Sequence, residues 1–129
     1  MKYLDTKDFE IKVNFIGFKL AKLARTRGFW IKASSSKKRK LWSSYTENLH
    51  EVYDSESKDW MYEYCPLDIL RMWITLRYGI DFIINPEYNG ELKKYSYIVV
   101  LSEDKKILSE DYYDTYDSAL EIAMECALS

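Results

Sequence analysis

The distribution of charge along this chain constrains its folding more than any single motif. The 129 residues have a formal net charge of only −2. Residues 1–42 nevertheless carry twelve Lys/Arg and three Asp/Glu, a formal +9, while residues 43–129 carry seven Lys/Arg against eighteen Asp/Glu, a formal −11. A chain divided in this way has two outlets for its field. Either the halves neutralise each other within one fold, or each presents a surface to an oppositely charged partner. The length suits one domain with a real core, and a hydrophobic share of 47% is that of a globular rather than a disordered sequence. Twelve Tyr and four Trp add apolar bodies with polar tips, which serve core edges and interaction surfaces alike; structural use is the preferred reading.

Hydrophobic period and helix punctuation set out the expected elements. Asp8 to Phe15 alternates polar and apolar as a half-buried strand would, but Phe9, Val13, Ile16 and Leu20 also fit one helix face, so residues 8–13 stay open between the two. A helix is expected from Phe15 to Arg27, with Asn14 as N-cap and Gly28 as its left-handed C-terminal cap. Ile16, Leu20, Leu23 and Ala24 would pack on the core, leaving Phe15, Phe18, Lys19, Lys22 and Arg25 opposite. Phe29–Lys32 reads as a short extended segment and Ala33–Lys40 as a basic tip. Leu41–Tyr45 leaves it as a strand, giving a hairpin over Trp30–Tyr45. Val52, Trp60, Tyr62 and Tyr64 suggest extended structure around the acidic loop Asp54–Asp59.

Pro66 opens a second helix over 67–78, ended by Gly79. It is apolar nearly all round, with Asp68, Arg71 and Thr75 as a narrow polar stripe, the pattern of a central, mostly covered helix. Ile80–Ile84 is a strand stopped by Pro86, and Asn89-Gly90 is a tight turn. Tyr95–Leu101 is a strand antiparallel to 80–85, followed by a turn at Glu103–Lys106 and a short edge strand at Lys106–Leu108. Thr115 caps a last helix in which Leu120, Ile122, Ala123, Cys126 and Ala127 face the core, while Ser118, Glu121 and Glu125 face solvent. With neither internal repeat nor linker, the expected fold is a single α+β domain over 1–129, a small antiparallel sheet with about three helices packed on it.

Three stretches carry a resemblance. They are Leu20-Ala21-Lys22-Leu23-Ala24-Arg25-Thr26-Arg27-Gly28-Phe29, then Pro66 through Trp73 to Gly79-Ile80, and then Thr115-Tyr116-Asp117-Ser118-Ala119-Leu120-Glu121. Together they touch about a third of the chain, and each is mostly helix punctuation. The chain resembles a group of small uncharacterised proteins encoded by phages and mobile elements of gut Bacteroidota. The group has no assigned activity, so the resemblance implies only an accessory, cytoplasmic protein of phage or mobile-element origin. The Ser34–Lys40 basic stretch is not a hallmark of that group.

The residue inventory favours binding over catalysis. His50 is the single histidine and has no nucleophile turn near it. Cys65 and Cys126 lie far apart without metal-ligand spacing and read as small core residues, although sequence alone leaves a disulfide between them open. Four unclustered glycines make no phosphate-cradling loop. Carboxylate pairs such as Asp54 with Glu56 or Asp111 with Asp114 are expected by chance among so many acids. No catalytic residue, metal or cofactor is therefore expected. No apolar run approaches the roughly 18 residues of a membrane helix, and Met1–Asp5 has no signal core, so a cytoplasmic location without a membrane partner is expected.

The leading expectation is a non-enzymatic protein-binding module acting on a host or phage protein, with aromatic anchors and bipolar charge for orientation. The same bipolarity suits a homodimer, the basic half of one copy facing the acidic half of another. The alternative is a nucleic-acid accessory protein using the basic 32–42 hairpin and first helix. Lys32, Lys37, Lys38, Arg39, Lys40, Trp42, Lys19 and Lys22 would then grip phosphates and stack bases. The plainer reading of those residues is a solvated face with Phe15 and Phe18 tucked under neighbouring segments.

Overall fold

The computed structural model describes residues 13–32 and 37–129. The expectations placed on residues 8–12 and on the serine stretch 33–36 lie outside them; Val13 is exposed and belongs to no regular element. In chain order the elements are α1 (Phe18–Thr26), β1 (Lys38–Ser43), β2 (Leu49–Tyr53), a 3-10 turn at Asp54–Glu56, β3 (Met61–Glu63), α2 (Leu67–Tyr78), β4 (Asp81–Asn89), β5 (Leu92–Ser102), β6 (Lys105–Leu108) and α3 (Tyr116–Leu128). The fold is α+β, with two three-stranded antiparallel sheets ordered β2-β1-β3 and β4-β5-β6 rather than the single small sheet expected.

One core joins these elements. Leu20 and Ala24 of α1, Leu70 and Ile74 of α2, Phe82 and Val99 of the second sheet, and Leu120, Ala123 and Met124 of α3 are all buried within it. α3 lies across β4 and β5, and touches α1 and α2. Its start is fixed locally: Thr115 Oγ1 accepts the Ser118 N–H at 3.0 Å, as an N-cap should.

α1 begins three residues later than its pattern predicts, because its N-terminal cap is tertiary. Asn14 does not cap; its side-chain amide donates to Asp117, and residues 14–16 run antiparallel beside 65–67, with Ile16 N–H on Cys65 O at 2.8 Å and Leu67 N–H on Asn14 O at 3.0 Å. The free N–H at Gly17 instead donates to Glu121 Oε1 at 2.7 Å. A Cβ at Gly17 would stand 2.9 Å from that oxygen, so a larger residue would make the Glu121 carboxylate shift. Glu121 and Glu125 are consequently half-buried between α1 and α3, not a solvent face.

Two strand expectations also change. The basic residues 38–40 form strand β1 itself, which pairs with β2 through a turn at 44–48 and with β3 on its other side. Trp30–Lys32 joins no strand, so the Trp30–Tyr45 hairpin does not form. Opposite charge explains the choice: Lys40 lies across from Glu51, and Arg39 reaches Asp54 and Glu63. β4 runs through Pro86, opposite Tyr95, instead of stopping there. β4 is an edge strand, where a missing backbone donor is tolerated.

α2 has the expected bounds and its Gly79 left-handed cap at φ 68°, but it is not a covered central helix. Leu67, Leu70 and Ile74 face the core, while on the opposite side Ile69, Met72 and Leu76 are 38%, 53% and 81% exposed. Leu70→Ala should cost about 2–5 kcal/mol, the range for a buried leucine, and Leu76→Ala should stay within about 0.5 kcal/mol. Urea unfolding of the two variants checks this; equal losses would mean that the Leu76 side is covered within the chain.

Candidate functional site

The eight cationic and aromatic residues expected to meet nucleic acid fall into two groups. Trp42 is internal: its indole N–H donates to Ile16 O at 3.2 Å, and its ring packs edge-on against Phe18 and Tyr64. Phe15 in turn stacks on Tyr64 at 4.5 Å between centroids. Arg39 is internal as well. Its Nη1 donates to Ile31 O at 3.1 Å and to Glu63 Oε1 at 3.2 Å, and its Nη2 makes a charge contact with Asp54 Oδ1 at 2.9 Å. Lys19 is largely exposed and only loosely held, 3.9 Å from Glu125. Lys22, Lys32, Lys37, Lys38 and Lys40 are exposed. Lys38 lies over the Tyr53 ring at 5.3 Å.

Strand alternation separates these roles. Arg39, Leu41 and Ser43 point to the face that carries Glu63 and Met61, whereas Lys38, Lys40 and Trp42 point to the face that carries Tyr53 and Tyr62. The pleat thus separates Arg39, on the Glu63 face, from Lys38 and Lys40 on the other; Lys37 precedes the strand, and all three lysines are exposed. The aromatic ring of Trp30 lies under two guanidinium groups, those of Arg25 at 4.3 Å and Arg39 at 4.6 Å.

Glu63 is the partner that holds this cluster. It is only 3% exposed, and its Oε1 also accepts the Ile31 N–H at 2.8 Å, so it fixes the 29–32 segment against β1 and β3. Burial pushes its carboxyl above the ordinary 4.5, with the Ile31 N–H and the Arg39 charge pulling back. Among the described residues, the contacts Lys19–Glu125, Arg25–Asp59, Arg39–Asp54 and Arg39–Glu63 each join a cation of residues 1–42 to an acid of residues 43–129. The two charged halves therefore touch within one fold, away from water only at Arg39, Asp54 and Glu63.

A shallow cavity of about 590 Å³ opens beside this cluster, lined by Phe15, Ile31, Arg39, Lys40, Glu63 and Tyr64. Its reactive inventory is small. The Glu63 carboxylate and the Arg39 guanidinium are tied to each other, and Cys65 behind them is buried, its thiol pushed up to about 12 by burial and the neighbouring Glu63 charge. Cys65 and Cys126 are both free thiols. His50 lies exposed on β2 with its Nε2 3.0 Å from Thr46 Oγ1. Among the described residues no group of three or more His, Cys, Asp or Glu is placed to hold a metal ion, and no helix is long and apolar enough to cross a membrane.

The surface that sequence reasoning missed is the outer ridge of α2. Ile69, Met72 and Leu76 recur at helical spacing on the side away from the core, with Trp73 half-buried beside them. Asp68 and Arg77 flank the ridge as exposed charges. Its signal was present as the narrowness of the polar stripe, which leaves more apolar circumference than one core can cover. Comparisons with protein-family models, with curated proteins and with solved structures find no match to this chain.

The raised Glu63 carboxyl has a stability consequence. Between its ordinary value and its folded value, the folded chain keeps a proton that the unfolded chain releases, so this group's contribution to stability falls as pH rises through that window and then levels off. Urea unfolding of wild type and Glu63→Gln over acidic to neutral pH should give a difference curve with that slope; a flat difference would show that ionising Glu63 costs the fold nothing.

Proposed function

We propose that this chain is a non-enzymatic protein-binding module that docks through the outer ridge of α2. The observation that carries the reading is the exposure of Ile69, Met72 and Leu76 on a helix otherwise built to be covered. An apolar helix face of this kind seats in an apolar groove of a partner protein, with anchors at the i, i+3 and i+7 positions. Asp68 on one flank and Arg77 on the other would set its orientation. The resemblance to phage and mobile-element proteins supports an accessory role, with a host or phage protein as the partner.

The nucleic-acid reading has less to draw on, because Arg39 and Trp42 are committed internally. What favours it is the outward face of β1, where Lys38 and Lys40 stand beside Tyr53.

Affinity capture from an extract of the cell that expresses the chain separates these readings. A protein retained by wild type in equal proportion, and lost by Met72→Glu/Leu76→Glu with an unchanged circular dichroism spectrum, is the expected result. Capture indifferent to that variant would contradict the ridge. Salt-sensitive retention of DNA or RNA that disappears when Lys37, Lys38 and Lys40 become Ser would favour the alternative.

A further inference from the structure

The second sheet has an unpartnered face of its own. α2 and α3 pack on one side of β4 and β5, where Phe82 and Val99 are buried. The other side carries Asp81, Ile83 and Asn85 of β4, Ser96, Ile98 and Val100 of β5, and Lys106 and Leu108 of β6. Among the described residues no helix or strand covers it: Ile83 is 42% and Leu108 67% exposed.

Register organises this face into rows. Ile83, Ile98 and Leu108 lie directly opposite one another across the three strands and form an apolar band. The neighbouring row is Asp81, Val100 and Lys106, an acid on the β4 edge, an apolar centre and a base on the β6 edge. Asp81 is largely exposed; its Oδ1 accepts the Phe82 N–H at 2.8 Å and lies 3.9 Å from the Arg71 guanidinium, which leaves Oδ2 for a partner.

We propose that this face is a self-association surface on which a second copy of the chain packs, related by a two-fold axis parallel to the strands. Such an axis keeps each row at its own level and reverses the strand order, so that β4 of one copy lies over β6 of the other. The apolar row then covers itself, with Ile98 on Ile98 and Ile83 on Leu108. The charged row also becomes complementary to itself: each Asp81 meets a Lys106, and each Lys106 an Asp81. Aligned packing of two twisted sheets is a standard arrangement. The occupant is argued from charge. The row needs a partner that presents base, apolar and acid in the opposite order at the same spacing, and this sheet supplies that sequence. A face three strands wide is small for a specific interface, so the association is weak and concentration-dependent.

Sedimentation velocity of the full chain across a wide concentration range tests the geometry. Wild type should show a reversible monomer–dimer equilibrium, and Leu108→Glu should abolish it. Asp81→Lys and Lys106→Asp each place like charges at both symmetric contacts and should weaken the dimer by about tenfold or more; the double variant should restore it. Circular dichroism confirms that each variant folds. A wild type that stays monomeric at every concentration, a dimer indifferent to Leu108→Glu, a dimer abolished instead by Leu76→Glu, or a double variant that fails to restore association would each overturn the proposal.

Discussion

A buried carboxylate organises the first half of this protein. Glu63 is almost fully withdrawn from water and is held there by the Arg39 guanidinium and the Ile31 N–H. An uncompensated charge in that position would cost several kcal/mol, so β1, β3 and the 29–32 segment are bound to one arrangement. Trp30 stays under the same guanidinium, and Asp54 brings the end of β2 to it. Removing one partner leaves the other buried and unpaired, which is strongly destabilising even where the pair's net contribution to stability is small.

This constraint also joins the two parts of the charge partition at one point. Among the described residues, Arg39 meets Asp54 and Glu63 away from water, while Arg25 and Lys19 approach Asp59 and Glu125 near the surface and Lys22, Lys32, Lys37, Lys38 and Lys40 stay exposed. Two further exposed surfaces are apolar: the α2 ridge at Ile69, Met72 and Leu76, and the open sheet face at Ile83, Ile98 and Leu108. Both lie in the acidic portion of the chain, far along the sequence from the lysine run that first draws attention.

Local chemistry explains which parts of this were legible in the sequence. α2 and α3 could be read closely because Pro66, Gly79 and Thr115 punctuate them through their own backbone geometry or side chains. The β4–β5 pairing could be read from the apolar, β-branched run at Tyr95–Leu101 and the turn glycine, although the turn is Gly90-Glu91, one residue on from the expected Asn89-Gly90. The start of α1 could not, because its capping carboxylate, Glu121, is 104 residues away from Gly17. The partners of β1 were hidden for the same reason: a pattern of lysines reads as a solvated tip until the acids across the sheet are known. Pro86 misled because tolerance of proline depends on whether a strand lies at an edge, and strand order is not a local property. The candidate site suffered most. The pleat separates Arg39 from Lys38 and Lys40, but only distant partners, Asp54 and Glu63, draw Arg39 inward, and the α2 ridge is recognisable only once the core is seen to take one side of that helix.

The most direct test of this account is a double-mutant cycle between Arg39 and Glu63, using Arg39→Met, Glu63→Gln and the combined variant, with unfolding free energies measured in urea at low and high ionic strength. A coupling of about 1.5–3 kcal/mol is predicted for a buried, charge-assisted contact, and it should persist in salt because the pair is shielded from solvent. A coupling near zero, or one that vanishes as salt is added, would place the two groups at the surface and contradict the claim that a buried Arg39–Glu63 contact organises the first half of the fold.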